Sequence, residues 1–218
     1  MKLVIFGASG RTGRLLVEKA LAAGHNVTAF VRVPAKLPIR HERLHIIQGD
    51  IYEAASVESA IAGQDAVINA IGPQKDSPKD LLAVSAYHIL HGMEKHNVHR
   101  FVTIIAAWVG DPNDKPKLAD KVITTKLRLF AKDTWQASLR YADVVRASDA
   151  DWILVRVPTL TDSAREILPE DTVTEQNICV GYLGAGVGNS LQRADLAGFM
   201  LQQLEDNTYL HKAPVISN

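Results

Sequence analysis

The chain has 218 residues, of which 47% are hydrophobic and 22% are charged, and 24 Lys and Arg residues balance 24 Asp and Glu residues. This composition is typical of a globular protein, and the balanced charge argues against nucleic-acid or membrane-surface binding, which usually require a basic excess. The strand-like run at Lys2 and the single cysteine, Cys179, favour a cytoplasmic location. We interpret Cys179 as an isolated buried residue rather than a redox thiol.

Short apolar runs alternate with segments of helical periodicity along most of the chain. This order predicts parallel strands joined by crossover helices, in an α/β doubly wound parallel sheet of the Rossmann type. The predicted strands are Lys2–Phe6, Val27–Val31, Leu44–Ile47, Ala66–Asn69, Phe101–Ile105 and Trp152–Val155. The predicted helices are Arg11–Ala23, Ala54–Ile61, Lys79–His96, a long polar stretch at Leu118–Ala147, and Gln192–Leu204.

The remaining sequence predicts less regular structure. Gly110–Pro116 is expected to be a surface loop, and a small irregular C-terminal region is expected to contain extended pieces near Thr172 and Ile178 and a glycine-rich loop at Gly184–Gly188. Because no linker or repeat interrupts the chain, we predict a single domain over residues 1–218. Its cofactor half would span about 1–110, and its substrate-side elements about 157–190.

A glycine-rich motif directly follows the first predicted strand and opens the first predicted helix. In that context Gly7 can form the sharp turn, Gly10 can let the backbone approach a pyrophosphate, and Gly13 can let the helix pack on the sheet. The N–H groups at the helix start would attract the anion, and the hydroxyls of Ser9 and Thr12 would add donors. The motif therefore predicts a dinucleotide site.

The residue after the second predicted strand bears on cofactor choice. Proteins of this fold that prefer NAD usually place an acidic residue there, on the ribose 2′-hydroxyl. This chain has Arg32, which can pair with a 2′-phosphate, and Arg11 is near enough in sequence to join it. We therefore predict NADP(H), with NAD(H) the less favoured cofactor.

Two later strand ends would lie at the same edge of the sheet. Asp50 could accept a hydrogen bond from the adenine amino group or cap the following helix, and the sequence leaves both roles open. The small residues of Ala70–Gly72 would leave room for ribose and phosphate.

Together with the segments 151–158 (DWILVRVP) and 193–197 (RADLA), these motifs resemble the atypical short-chain dehydrogenases. More narrowly, the chain is similar to the NmrA-like and biliverdin reductase B/flavin reductase branch over nearly its whole length. The resemblance implies that the pyrophosphate contacts Gly7, Ser9, Gly10, Arg11, Thr12 and Gly13, and that the 2′-phosphate contacts Arg32. It implies that adenine contacts Asp50 and Ile51 and that the ribose side contacts Ala70, Ile71 and Gly72. Nicotinamide would contact Ile105, Ala106, Pro158 and Thr159. The resemblance also implies a substrate beneath the loops of Gln74, Trp108 and Thr161.

The usual proton-donor pair of carbonyl-reducing relatives is not evident. That pair is a tyrosine with a lysine four residues later, whereas Tyr87, Tyr141 and Tyr182 are followed at that spacing by His91, Val145 and Gly186. The fifth strand ends in Ile105-Ala106, where relatives have a hydroxyl residue. We therefore favour hydride transfer to a planar acceptor such as a flavin or quinone, with Trp108 and Tyr141 as candidate aromatic surfaces.

Two other functions are weighed against this one. A non-catalytic NADP(H) sensor of the NmrA-like type, with a protein partner, agrees with the missing donor pair, and an epimerase or dehydratase ranks last. His88, His91, His96 and His99 have poor spacing for ligands, so we predict no metal site. We expect a monomer or homodimer.

Overall fold

An eight-stranded sheet forms the centre of the computed structural model, which describes residues 1–74, 76–118, 125, 128–129, 131–162 and 178–218. The strands are β1 Lys2–Phe6, β2 Asn26–Val31, β3 Leu44–Gln48, β4 Ala66–Asn69, β5 Arg100–Ala106, β6 Asp151–Val157, β7 Thr159–Thr161, β8 Cys179–Gly181, β9 Ser190–Gln192 and β10 Val215–Ser217. The helices are α1 Arg11–Ala22, α2 Ala54–Ile61, α3 Leu81–Lys95, α4 Lys132–Arg146 and α5 Arg193–Gln202, with a 3₁₀ turn at Pro34–Lys36.

The strand order is β3-β2-β1-β4-β5-β6-β10-β8, and β7 pairs with β9 in a separate parallel ribbon. Neighbouring strands of the large sheet are parallel except for β8, which pairs antiparallel with β10. The order reverses beside β1, so a crevice forms outside the carboxyl ends of β1 and β4. The predicted doubly wound α/β sheet is confirmed.

Alternating residues of each central strand bury side chains on opposite faces. Leu3 and Ile5 of β1 pack in one core cluster with α1 and α5. Val4 and Phe6 pack in the other with α2, α3 and α4. This two-sided burial explains why the central strands are almost continuously apolar, as expected for a parallel sheet covered by helices.

Two expectations need correction, and a third lies partly outside the described residues. The predicted helix at Leu118–Ala147 is not continuous, because Ala131 has non-helical torsions (φ −129°, ψ 41°) and α4 begins at Lys132, where Asp133 lies favourably in the first turn. Cys179 is exposed rather than buried, because it lies on β8 at an edge of the sheet. The extended piece near Thr172 lies outside the described residues, whereas the piece near Ile178 corresponds to β8.

Candidate functional site

The loop between β1 and α1 lies in the crevice and requires glycine. Gly7 has φ +77°, and a Cβ on it would lie 2.8 Å from the carbonyl carbon and oxygen of Ala70. A Cβ on Gly13 would lie 2.0 Å from the carbonyl oxygen of Gly7. Both glycines therefore permit backbone segments to approach more closely than any side chain would allow.

The start of α1 faces this loop. The N–H of Gly10 donates to the carbonyl of Gly7 at 3.0 Å, and Gly10 is the N-cap residue of α1. The N–H groups of the first helical turn have no acceptor within the helix, which makes them available to an anion. Ser9 is half-buried and Thr12 is buried, with 7% of its surface exposed. We call the close approach at Gly7 and Gly13 the glycine cradle. This cradle and the N–H groups at the start of α1 fit the pyrophosphate of a dinucleotide.

Arg11, the first residue of α1, is engaged by an acidic residue that sequence reasoning missed. Its Nη1 lies 3.0 Å from Oδ2 of Asp162, whose Oδ1 lies 2.7 Å from Nη1 of Arg193. Partial burial of Asp162 acts to raise its pKa, but the hydrogen bonds and charges of Arg193 and Arg11 outweigh it and hold this pKa below its usual value. Only the fold reveals this contact, because the three residues are far apart in sequence.

The end of β2 has a basic surface. Arg32 is exposed there, as expected for a residue that could meet a 2′-phosphate. Arg14, rather than Arg11, is the arginine of α1 that reaches the loop after Arg32, since its Nη2 donates to the carbonyl of Lys36 at 2.6 Å. Sequence reasoning missed Arg14 and Lys36, although the helical position of Arg14, three residues after Arg11, was available.

Asp50 follows β3 and forms a tight turn. Its Oδ1 accepts a hydrogen bond from the N–H of Tyr52 at 3.0 Å, whereas the N-cap of α2 is Glu53. The alternative in which Asp50 caps α2 is therefore wrong. Ile51 is 5% exposed, and its carbonyl is bound by Nδ1 of His88 at 2.7 Å. The turn thus presents backbone and a carboxylate at the predicted adenine position.

The hydroxyl of Tyr52 joins this turn to the residue that precedes α3. It donates to Oδ1 of Asp80 at 2.8 Å, and burial followed by this hydrogen bond raises the pKa of Tyr52 to about 12. The positive charge of Arg32 acts in the opposite direction on that pKa.

The segment Ala70–Gly72 follows β4 and is hydrogen-bonded to the side chain of Asn69, the last residue of that strand. Oδ1 of Asn69 accepts from the N–H of Ile71 at 3.1 Å, and its Nδ2 donates to the hydroxyl of Tyr141 at 2.8 Å. A Cβ on Gly72 would meet no atom within 4 Å, so the backbone there borders open space. The buried Asn69 therefore shapes the predicted ribose side, a role that the sequence did not reveal.

Tyr141 itself lies in the core. It is 1% exposed, its hydroxyl is hydrogen-bonded to that of Thr103, and burial raises its pKa to about 12. The expectation that Tyr141 offers an aromatic surface to a substrate is not met in this structure, because its ring packs in the core cluster that contains α2, α3 and α4.

The other substrate-side residues lie at two neighbouring strand ends. Ala106 of β5 pairs with Val157 of β6, so Ile105 and Ala106 lie beside the chain that leads into Pro158 and Thr159. Ile105 is buried, whereas Thr159 and Thr161 are exposed. Gln74 is exposed beyond β4, and its N–H donates to Oγ of Ser77 at 2.8 Å.

Trp108 lies in the turn after β5, where the N–H of Val109 donates to the carbonyl of Ala106 at 3.1 Å. The ring is half-buried against the core cluster. Its Nε1 is buried and has no hydrogen-bond partner among the described residues. An indole N–H in that state has an unused donor, which a ligand oxygen could reach only if the turn carrying Trp108 shifts to expose it.

A buried ion pair anchors the loop that follows Trp108. Arg156 is 0% exposed, and its two Nη atoms each lie 2.7 Å from an oxygen of Asp114. Burial acts to raise the pKa of Asp114, but the hydrogen bond and charge of Arg156, with donors from backbone N–H groups, hold it below its usual value. Gly110–Pro116 is thus largely a surface loop, as predicted, but one fixed by a buried arginine.

The histidines do not form a ligand cluster. His88 binds the carbonyl of Ile51, and His96 contacts Glu58 at 3.4 Å. Among the described residues, no group of three or more His, Cys, Asp or Glu side chains is arranged to hold a metal ion. Within the same residues, no helix combines the length and apolarity that crossing a bilayer requires.

The sequence is similar to that of known reductases. A 3-diazoavenalumate denitrifying reductase from Streptomyces sp. is 27% identical over 231 residues, covering 94% of this chain and 72% of that protein. Three further relatives are 38 or 39% identical over 68 to 87 residues, and the matched part spans only 18 to 32% of their length.

Solved structures share the fold over the whole chain. A short-chain dehydrogenase/reductase from Veillonella parvula in complex with NADP has a TM-score of 0.78 at 18% identity, covering 100% of this chain and 94% of that one. ChuY, an anaerobillin reductase from Escherichia coli O157:H7, has a TM-score of 0.73 at 15% identity, with 100% and 97% coverage. At these identities the likeness supports the fold.

Family membership is established by a different comparison. The family model described as NAD(P)H-binding matches residues 7–207, which begin at the first glycine of the cradle and extend beyond α5. The expected NAD(P)-binding family is confirmed at this level. The chain therefore belongs to the NAD(P)H-binding family.

Proposed function

We propose that the protein is an NADPH-dependent reductase that transfers hydride to a planar acceptor such as a flavin or quinone. The observation on which this rests is the cradle of Gly7 and Gly13 beneath the free start of α1, which fits a pyrophosphate. When bound, the reduced nicotinamide supplies the hydride. We further propose that the protein acts in the cytoplasm as a monomer or homodimer.

The preference for NADPH is supported by charge. Arg32 is exposed at the end of β2, and Arg14 reaches the carbonyl of Lys36 in the loop that follows. Guanidinium groups bind phosphate through charge-assisted and often bidentate hydrogen bonds. An acidic residue that would favour an unmodified ribose is absent from the end of this strand.

Calorimetric titration with NADPH, NADP+, NADH and NAD+ tests the cofactor assignment. We expect NADPH to bind more tightly than NADH, and Arg32→Glu to weaken NADPH about 10- to 100-fold while sparing NADH. Arg140→Glu, an equal charge reversal at an exposed position of α4, is the matched control. Absence of binding by all four nucleotides would refute the proposal.

The choice of acceptor follows from the tyrosines, all five of which lie in the described part of the chain. Tyr141 is buried, and its hydroxyl is bound to Asn69 and Thr103. Lysine does not follow any of the five at the spacing of four. Acceptors that take a proton from solvent require no such donor, so the chain needs only to orient the acceptor over the nicotinamide.

Trp108 is the residue we expect to orient the acceptor. Its indole N–H has no partner among the described residues and, once exposed by a shift of the turn, can donate to a carbonyl oxygen, a group that both flavins and quinones possess. Trp108→Phe keeps an aromatic surface but removes the N–H donor and part of the ring, so we expect the KM for the acceptor to rise about three- to tenfold with little change in kcat. Trp108→Ala removes the ring as well and should be worse.

A panel of flavins and quinones, followed through the loss of NADPH fluorescence, provides the activity test. Oxidation of NADPH by none of them would contradict the reductase assignment and favour our second candidate, a non-catalytic redox sensor that binds a protein partner. The burial of the Tyr141 hydroxyl favours that alternative. A sensor must bind NADPH and NADP+ with different affinities, because equal binding shifts no population.

A further inference from the structure

Three separate chain segments meet at Asp162. β7 and β9 are parallel and pair Thr161 with Gln192, so Asp162 and Arg193 directly follow the ends of two neighbouring strands. Arg193 begins α5, and Arg11 begins α1. Each oxygen of the Asp162 carboxylate is bound by one arginine, at 3.0 Å for Arg11 and 2.7 Å for Arg193.

The two arginines differ sharply in exposure. The side chain of Arg193 is 9% exposed, whereas those of Arg11 and Asp162 are 73% and 57% exposed. A buried guanidinium requires an anionic partner, because an unpaired buried charge is strongly unfavourable. An exposed ion pair contributes little to stability and exchanges easily. Asp162 is thus firmly bound to Arg193 and only weakly to Arg11.

We infer that Asp162 is an internal competitor of the cofactor pyrophosphate for Arg11, and that dinucleotide binding breaks the Arg11–Asp162 pair while leaving the Arg193–Asp162 pair intact. This rests on the cofactor site proposed above. Arg11 directly follows the cap residue of the glycine loop, so a pyrophosphate there would lie within reach of its guanidinium. Phosphate binds that group at least as well as carboxylate does.

The competition has a reciprocal consequence. If Asp162 lowers the affinity for the cofactor by occupying Arg11, bound cofactor must weaken the Arg11–Asp162 ion pair, which joins α1 to the end of β7, by the same factor. The opposite role is also testable. If Asp162 instead held Arg11 in the orientation that the cofactor needs, removing the carboxylate would weaken binding.

The test is a double-mutant cycle measured by calorimetric titration with NADPH. Asp162→Asn should tighten binding about two- to fivefold, the range expected for release of an exposed ion pair. In an Arg11→Gln background the same substitution should change nothing. Asp195→Asn is the matched control, because Asp195 lies in the first turn of α5 and binds Asn218 instead of an arginine.

Unchanged or weaker binding by Asp162→Asn would overturn the inference, and so would equal tightening in the Arg11→Gln background, which would indicate general charge repulsion. Failure of the wild-type protein to bind NADPH would instead refute the proposed cofactor site. Since Asp162→Asn deprives Arg193 of its anion and could impair folding, carboxyl ¹³C NMR of the wild-type protein gives a second measurement. The pKa of Asp162 should rise when NADPH is added, and an unchanged value would overturn the inference.

Discussion

Tyr141 reaches into the core beneath the end of β4, where its hydroxyl accepts from Nδ2 of Asn69 and contacts Thr103. Because burial raises its pKa to about 12, this tyrosine is neutral near pH 7. Asn69 in turn binds the N–H of Ile71. The Tyr141 hydroxyl therefore helps to position the side chain of Asn69, which in turn positions the backbone of Ile71 on the predicted ribose side.

We predict that Tyr141→Phe leaves turnover within about twofold but lowers the free energy of unfolding by about 1 to 3 kcal/mol, because Nδ2 of Asn69 loses its acceptor in the core. Urea unfolding and steady-state kinetics measure the two effects. Tyr87→Phe is the control, since Tyr87 is 65% exposed. A fall in kcat of about a hundredfold or more would identify Tyr141 as the proton donor and contradict this interpretation.

At the scale of the element, α1 can dock on β1 only because residue 13 has no side chain. A Cβ would lie 2.0 Å from the carbonyl oxygen of Gly7, and that atom belongs to rigid backbone. The same contact sets the distance between the start of α1 and the glycine loop. Packing and anion binding thus depend on one close approach.

Gly13→Ala should therefore abolish nucleotide binding, because α1 must move away from the loop to make room for the methyl group. Calorimetry with NADPH measures the loss, and circular dichroism shows whether the fold survives. Gly198→Ala in α5 is the matched helix control, as its Cβ would meet no atom within 4 Å. That variant should be more stable by about 0.5 to 1 kcal/mol and bind NADPH normally.

The elements around this contact were predictable because their sequences are strongly patterned. β1, β4, α1 and α2 were placed within a residue of their observed bounds, since buried parallel strands are apolar throughout and amphipathic helices are periodic. β7, β9 and β10 were missed because three residues are too few to display alternation.

The candidate site divides in the same way. Gly7 and Gly13 could be assigned from local spacing, because both act on backbone a few residues away. The contacts of Asp162 with Arg11 and Arg193, and of Arg156 with Asp114, join residues that are distant in sequence. Sequence alone specifies such charges but not their partners, which depend on strand register.

At the scale of the whole molecule, Arg156 connects three segments. Besides Asp114, it donates to the carbonyl of Ala213 at 2.7 Å and to that of Val109 at 2.9 Å. Asp114 also accepts from the N–H of Leu183 at 2.9 Å. The turn carrying Trp108 is thereby held against the C-terminal part of the sheet.

Asp114→Asn should lower the free energy of unfolding by about 3 to 5 kcal/mol, because it leaves the fully buried Arg156 without a counter-charge. Asp133→Asn is the control; its partner Lys79 is 81% exposed, and we expect no measurable change. An equal effect of both substitutions, measured by urea unfolding, would contradict the importance of burial.

The same ion pair predicts a pH dependence. Because the folded protein depresses the pKa of Asp114, the contribution of this residue is complete above the unfolded carboxyl pKa of about 4 and is lost as the pH falls through the folded value. The difference in unfolding free energy between the wild type and Asp114→Asn should therefore shrink below about pH 4. A constant difference down to the acid transition would argue against a charged Asp114.

The position of β10 has a consequence for biosynthesis. This strand is made after both β6 and β8, yet it lies between them and joins them. Until residues 215–217 leave the ribosome, β6 has an unpaired edge and β8 has no strand to pair with. A nascent chain stalled before that point would present an apolar strand edge to other chains, so this is the stage at which we expect chaperones to bind it.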